Sequence, residues 1–239
     1  MARCNTNGSL DTTFGVGGKV RTSFGDLNGG AYGAVLQPDG KIVAVGFNAT
    51  PTRNFSEFAL ARYLGSSGSL ALTSAVSRKT HGSAGTFDVP LPLTGEPGVE
   101  CRSTGGKFTF VFTLSSNVVS GSAAVTSGTG SVQGSLIFSG NTMTVNLRGV
   151  TDVQKITLTL SDVTSSTGQV LPDTAVSANM LISDTTGDKT VSNSDVTQTR
   201  GQVGMPVTAS NFREDVNITG TITSADVSLV RSDVGHTLP

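Results

Sequence analysis

The chain has 239 residues, with 17 Asp and Glu against 16 Lys and Arg, a formal net charge of −1. That near-balance excludes the basic footprint of a nucleic-acid binder or of a protein drawn to an anionic membrane surface, and no apolar run approaches the length of a bilayer span. The length allows one to three domains; charged residues make up 14%, aromatic residues 5%, Trp is absent and Gly numbers 30, a composition that favours short strands and turns over long helices.

The N-terminal segment contains an echo of itself. Ala2-Arg3-Cys4 followed by Gly8-Ser9-Leu10 returns as Ala61-Arg62-Tyr63 followed by Gly68-Ser69-Leu70. Between the copies stand Asp11-Thr12-Thr13-Phe14-Gly15, Gly18-Lys19-Val20 and a run from Gln37 through Pro38-Asp39-Gly40 to Gly46. Pro-Asp-Gly is a tight-turn signal between apolar alternations, and Phe55, Phe58 and Leu60 mark a further strand. These residues resemble the roughly sixty-residue repeats of a bacterial β-propeller family. The resemblance implies a partial β-propeller-type repeat over 1–72, which cannot bury both faces alone. The start lies in mid-motif and no signal peptide is visible, so the expectation is a piece of a longer, exported protein.

Residues 73–100 are rich in Gly and Pro and read as a lead-in strand with loops. From Phe108 the strands come regularly: 108–114, 118–125, 135–138, 143–147, 156–160 and 174–181, separated by Gly or Asp turns. About seven short strands at this spacing suggest an immunoglobulin-like β-sandwich over 73–181. The fold class expected is therefore mainly β, with a small helical C-terminal domain over 182–239.

Two C-terminal segments run in phase. Asp184, Thr186, Asp188, Thr190 and Asp195 correspond one for one with Asp215, Asn217, Thr219, Thr221 and Asp226. Each set falls on positions 1, 3, 5, 7 and 12 of a twelve-residue loop, the oxygen-donor pattern that surrounds calcium. Gly220 occupies position 6, where a sharp turn favours positive φ, and Lys189 takes that place in the first loop at a backbone cost. Helices are expected over 194–202 and 225–233, with Val196 and Val203 facing Leu229, Val230 and Val234 and Phe212 plugging the core between them.

With Asp at position 12 and a helix after each loop but none before, the pair resembles the type I dockerin module. The resemblance implies two calcium sites on the residues above and a cohesin-like protein domain as partner. It places partner contacts at Asn193, Ser194, Ser224 and Ala225, flanked by Gln198, Arg200, Ser228 and Arg231, and it links the chain to extracellular polysaccharide degradation. Loop one has three carboxylates and loop two has two, so charge favours the first.

No catalytic constellation converges. His81 and His236 lack metal spacing, Gly82 to Gly85 is no nucleophile elbow, and Glu96 and Glu100 read as solvated loop charges. Cys4 and Cys101 make no disulfide framework. The expected function is thus a non-catalytic, extracellular interaction protein, not an enzyme and not inserted in a membrane. The alternative is a piece of a large cell-surface structural or adhesive protein, with the calcium-loop segment as an end cap.

Overall fold

The computed structural model describes all residues except 5–6, 12–13, 25–27, 38–39, 50–55, 64–68, 103–104, 167 and 239. It divides into two units, residues 1–69 and 70–239. The chain is mainly β, as its composition implies.

In the first unit β1 (Asn28–Leu36), β2 (Ile42–Ala49) and β3 (Ser56–Tyr63) form an antiparallel sheet in chain order. Pro38, Asp39 and Phe55 lie outside the described residues, as do Thr12, Thr13 and Gly68 of the echo. Gln37 and Gly40, on either side of the expected turn, hydrogen-bond to each other, and Gly40 takes φ 79°. At Gly46 a side chain is impossible, because a Cβ would lie 1.9 Å from the Gly30 carbonyl oxygen. Before the sheet, Arg3 pairs with Asp11 and lies over the Phe14 ring.

The second unit opens on β4 (Leu72–His81) and β5 (Gly85–Pro90), then β6 (Val99–Glu100). The stretch read as one lead-in strand is thus a hairpin. Its turn at Gly82 and Gly85, both at positive φ, splits the Thr/Val alternation into two paired strands. Next come β7 (Phe108–Leu114), β8 (Val118–Ser127), β9 (Ser131–Val132), β10 (Ile137–Ser139), β11 (Thr142–Arg148), β12 (Gln154–Ser165) and β13 (Thr174–Met180). One sheet runs β10-β11-β7-β4-β5 with β9 beside β11, and the other runs β6-β13-β12-β8.

Period-2 alternation turns Phe108, Phe110, Phe112 and Leu114 inward from β7 and Met143, Val145 and Leu147 from β11. They meet Ile156, Leu158 and Leu160 of β12 and Val176, Ala178 and Met180 of β13 in one core between the sheets. This is a β-sandwich.

Two helices follow, α1 (Asn193–Gly201) and α2 (Ser224–Ser232), each within a residue of the expected position. Nine residues is short for a helix to stand alone. Both carry a capping box, Ser192 with Asp195 and Thr223 with Asp226. Their small core is Val191, Val196, Val216, Val227 and Val230, and it continues into Val99 and Leu181 of the sandwich segment. The expected facing set is corrected here: Val203, Leu229 and Val234 are exposed, and Val227 takes the inward place. Val203 and Val234 lie past the ends of the helices, so helical spacing does not govern them.

The two units differ sharply in what they bury. Among the described residues of the first, only Phe14 and Ala44 are buried apolar side chains, while Tyr32 is 82% and Phe58 73% exposed, with Val35, Leu36 and Leu60 also open. Among the described residues neither β1 nor β3 pairs with a further strand on its outer side. Limited trypsin digestion of the full chain should therefore remove residues before Leu70 first, leaving a resistant 70–239 core by mass spectrometry. Survival of the first unit to the same digestion time would contradict this.

Candidate functional site: paired loops seated on a buried ionic chain

The two C-terminal loops adopt one backbone design. In loop one Gly187 and Lys189, at positions 4 and 6, take φ 78° and 73°; in loop two Ile218 and Gly220, at the same positions, take 53° and 88°. Lys189 carries the expected cost of a non-glycine residue in the left-handed region. Loop two is not exempt, because the β-branched Ile218 carries a like cost one turn earlier. Each loop thus has one glycine and one forced residue.

Asp184, at position 1, accepts from the backbone N–H groups of Gly187 (2.7 Å), Asp188 (3.2 Å) and Lys189 (2.8 Å). Asp195, at position 12, accepts from the N–H of Thr186 at 2.9 Å and of Ser192 at 2.8 Å. The Thr186 hydroxyl lies between the two carboxylates, 3.2 Å from Asp184 and 3.0 Å from Asp195. Loop two repeats the frame: Asp215 accepts from Thr219 and Gly220, and Asp226 from Asn217 and Thr223.

The loops also exchange backbone bonds reciprocally. The N–H of Gly204, past α1, donates to Ile222 in loop two at 3.0 Å; that of Gly235, past α2, donates to Val191 in loop one at 2.9 Å. Bridges pair Thr221 with Pro206 and Thr190 with Thr237. The duplication read in the sequence is a pseudo-twofold in space.

Of the expected ligand residues, Asp184, Asp195, Asp215 and Asp226 are buried and face their loops, with Thr186, Asn217 and Thr219 beside them. Asp188 is exposed and accepts from the N–H of Thr190 at 2.9 Å. Thr221 offers its carbonyl oxygen, which accepts from the Thr219 hydroxyl. Among the described residues no three His, Cys, Asp or Glu side chains converge as a metal cluster. Each loop brings two carboxylates together; beside them stand the Thr186 hydroxyl in loop one and the Asn217 amide oxygen and Thr219 hydroxyl in loop two, oxygen atoms of the hard-ligand class.

Burial pushes the Asp184 carboxyl up against the opposing pull of the Lys189 and Gly187 N–H groups. For Asp195 burial acts in the same sense, but the N–H and hydroxyl groups of Thr186 and Ser192 outweigh it and hold the carboxyl low.

Of the expected partner residues, Asn193, Ser194, Arg200, Ser224, Ala225, Ser228 and Arg231 are exposed on the helices. Gln198 is corrected. It is half-buried, and its amide donates to the Thr185 carbonyl and to Glu214 at 2.6 Å.

Beneath loop two lies a chain of buried charge. Arg102 donates to both Glu100 carboxylate oxygens at 2.8 Å, to the Ser77 carbonyl at 2.9 Å, to the Phe87 carbonyl at 3.0 Å, and to His81 Nε2 at 3.1 Å. All five guanidinium N–H groups are used. A guanidinium cannot accept, so Nε2 of His81 must be the acceptor. The network therefore assigns the ring proton to Nδ1, which donates to Asp215 Oδ2 at 2.9 Å.

Glu100, Arg102, His81 and Asp215 are each 0% exposed. Glu100, expected as a solvated loop charge, is thus an interior one; Ser77 also donates to it. Burial alone would raise its pKa, but Arg102, by charge and hydrogen bonds, and Lys79 hold it below the usual carboxylate range.

Other contacts seat the loops. Arg213 donates to Thr185, Val99 and Asp184 carbonyls at 2.9, 3.0 and 2.9 Å, and Lys189 pairs with Glu96 of the sandwich segment. Phe212, expected between the helices, stacks on Phe87 at 5.4 Å and 4° and lies against Arg102 instead. The guanidinium and His81 offer its ring partners that the all-valine helix core lacks. Cys101 is buried, and burial raises its thiol to about 11, so it is inert.

Sequence reasoning missed this chain. His81, Glu100 and Arg102 lie far from Asp215 in sequence and belong to no motif.

Among the described residues no helix is long and apolar enough to cross a membrane. A family model described as a domain of unknown function (DUF5122) beta-propeller matches residues 37–70. This supports the propeller-repeat reading of the N-terminal segment. No curated protein matches the chain, and no solved structure does.

Two predictions test the seating. A Cβ at Gly82 would lie 2.2 Å from the Thr219 carbonyl oxygen, and its φ is +46°. Gly82→Ala should destabilise the second unit by about 2 kcal/mol or more in urea denaturation. Lys79 is buried with Nζ 3.8 Å from the Phe108 ring centroid. Burial, opposed by Glu100, lowers its pKa from 10.5 to about 8. Between these values the unfolded chain binds the proton that the folded one has released, so stability rises with pH. Relative to Lys79→Met, the wild type should gain on the order of 3 kcal/mol from pH 7 to 10.5, read as the pH dependence of the urea midpoint difference.

Proposed function

We propose that this chain is a non-catalytic, extracellular interaction protein whose C-terminal loop–helix pair binds calcium and presents its helices to a protein partner. The observation that carries this reading is the duplicated loop itself: the same two left-handed turns, inward carboxylates at positions 1 and 12, and reciprocal backbone pairing. Asp184, Thr186, Asp188, Thr190 and Asp195 would hold one ion; Asp215, Asn217, Thr219, Thr221 and Asp226 would hold the other. The ion supplies positive charge that neutralises paired buried carboxylates and rigidifies the loop.

The likeness to type I dockerins makes a cohesin-like domain the partner and extracellular polysaccharide degradation the setting. Exposed Asn193, Ser194, Arg200, Ser224, Ala225, Ser228 and Arg231 form the contact set, without Gln198. The sandwich, read as immunoglobulin-like, serves as spacer.

A second reading is favoured by the seating contacts: Arg213, His81 and the Lys189–Glu96 pair bind the loops to the sandwich segment. On that reading the loop pair is a stabilising end cap of a cell-surface protein, and calcium affects stability alone. Capture of a cohesin-like domain by the full chain, lost on chelation, separates the two.

Isothermal calorimetry measures the ions themselves. With its extra carboxylate, loop one should bind calcium at least as tightly as loop two, so Asp184→Ala should cost at least as much affinity as Asp215→Ala. Calcium binding untouched by Asp184→Ala and abolished by Asp215→Ala would reverse that order. No binding at millimolar calcium would remove the metal from the function.

A further inference from the structure

Loop one orients its first carboxylate unaided. Asp184 takes three backbone N–H groups, from Gly187, Asp188 and Lys189, and the Thr186 hydroxyl, all from within the loop. Loop two does not repeat this. The N–H of Ile218, counterpart of Gly187, donates to the Asp215 backbone carbonyl instead. Asp215 keeps only the N–H groups of Thr219 (3.0 Å) and Gly220 (2.8 Å), with the Thr219 hydroxyl at 3.5 Å.

The missing donor comes from outside the loop. His81 Nδ1, at the end of β4, lies 2.9 Å from Asp215 Oδ2, and both side chains are fully buried. The ring cannot turn away, because Nε2 accepts from Arg102 and the ring packs perpendicular to those of Phe87 and Phe212. Arg102 is in turn fixed by Glu100 and by the Ser77 and Phe87 carbonyls. The close approach this requires is built in at Gly220, where a Cβ would lie 2.8 Å from the His81 carbonyl oxygen.

From this asymmetry we infer that His81, a residue of the sandwich, is a positioning residue of the loop-two cation site. It does for Asp215 what a loop N–H does for Asp184, and it makes occupancy of loop two depend on the sandwich. The inference rests on the calcium reading above. An outer-shell donor of this kind fixes the orientation of a ligating carboxylate, and its loss costs about 10- to 100-fold in metal affinity.

The test uses the full chain, stripped by chelator and titrated with calcium chloride in a calorimeter. Asp184→Ala isolates loop two and Asp215→Ala isolates loop one. On the first background His81→Leu should weaken calcium binding about 10- to 100-fold. His81→Asn, whose amide N–H can stand where Nδ1 donates, should restore it to within about threefold of the parent. On the second background neither change should move loop one.

Equal binding by the His81→Leu and parent proteins at loop two overturns the inference and leaves the calcium reading intact. Equal weakening of both loops also overturns it, since that is the mark of general loosening. A parent chain that binds no calcium at either loop removes the reading and the inference together. Where circular dichroism shows that His81→Leu has not folded, His81→Gln takes its place: the longer side chain meets Arg102 and leaves Asp215 without its donor, so the same loss is expected.

Discussion

The second unit depends on a guanidinium buried with all its donors satisfied. Arg102 has no contact with water, yet each of its N–H groups ends on a carboxylate, a carbonyl or an imidazole nitrogen. Desolvating such a charge is costly, and removing one partner of a buried pair costs about 3–5 kcal/mol. Complete satisfaction makes the arrangement tolerable and specific at once, because any shift of β4, β5 or β6 leaves a donor unpaired. The sandwich end is therefore held in one geometry, and through His81 so is the first carboxylate of loop two.

This explains why the C-terminal segment is seated on the sandwich instead of trailing from it. Its helices are short, and its apolar core consists mainly of valines that continue into Val99 and Leu181. The rest of the order comes from polar seating: Arg213 spans carbonyls of both segments, and Phe212 stacks on Phe87. Helix cap and loop share the same carboxylates, since Asp195 and Asp226 serve both their N-caps and the residues at position 3 of their loops. A change in loop charge thus reaches the helix start directly, and with it the exposed residues proposed to meet a partner.

Much of this was legible in the chain itself. Alternation located β7, β8, β11, β12 and β13, because one buried face per sheet imposes a period of two. The offset between Asp184 and Asp215 exposed the duplicated loops and both helix starts, because capping and loop chemistry use side chains within a few residues. The backbone cost at Lys189 followed from the turn; the matching cost at Ile218 was missed because position 4 was not read as a turn residue.

What only the tertiary structure decided is where the isolated polar residues go. His81, Glu100, Arg102 and Phe212 carry no periodicity and belong to no local motif, so nothing in the sequence distinguishes a solvated Glu from one locked on Arg102. Gln198 and Leu229 reversed expectation for the same reason: helical spacing specifies a face, but the neighbour that covers that face is set by chain segments far away in sequence. Local rules determine strands, caps and loops because their partners lie within a few residues. The destination of a buried charge is determined by which distant groups can satisfy every one of its hydrogen bonds, and that is a property of the assembled fold.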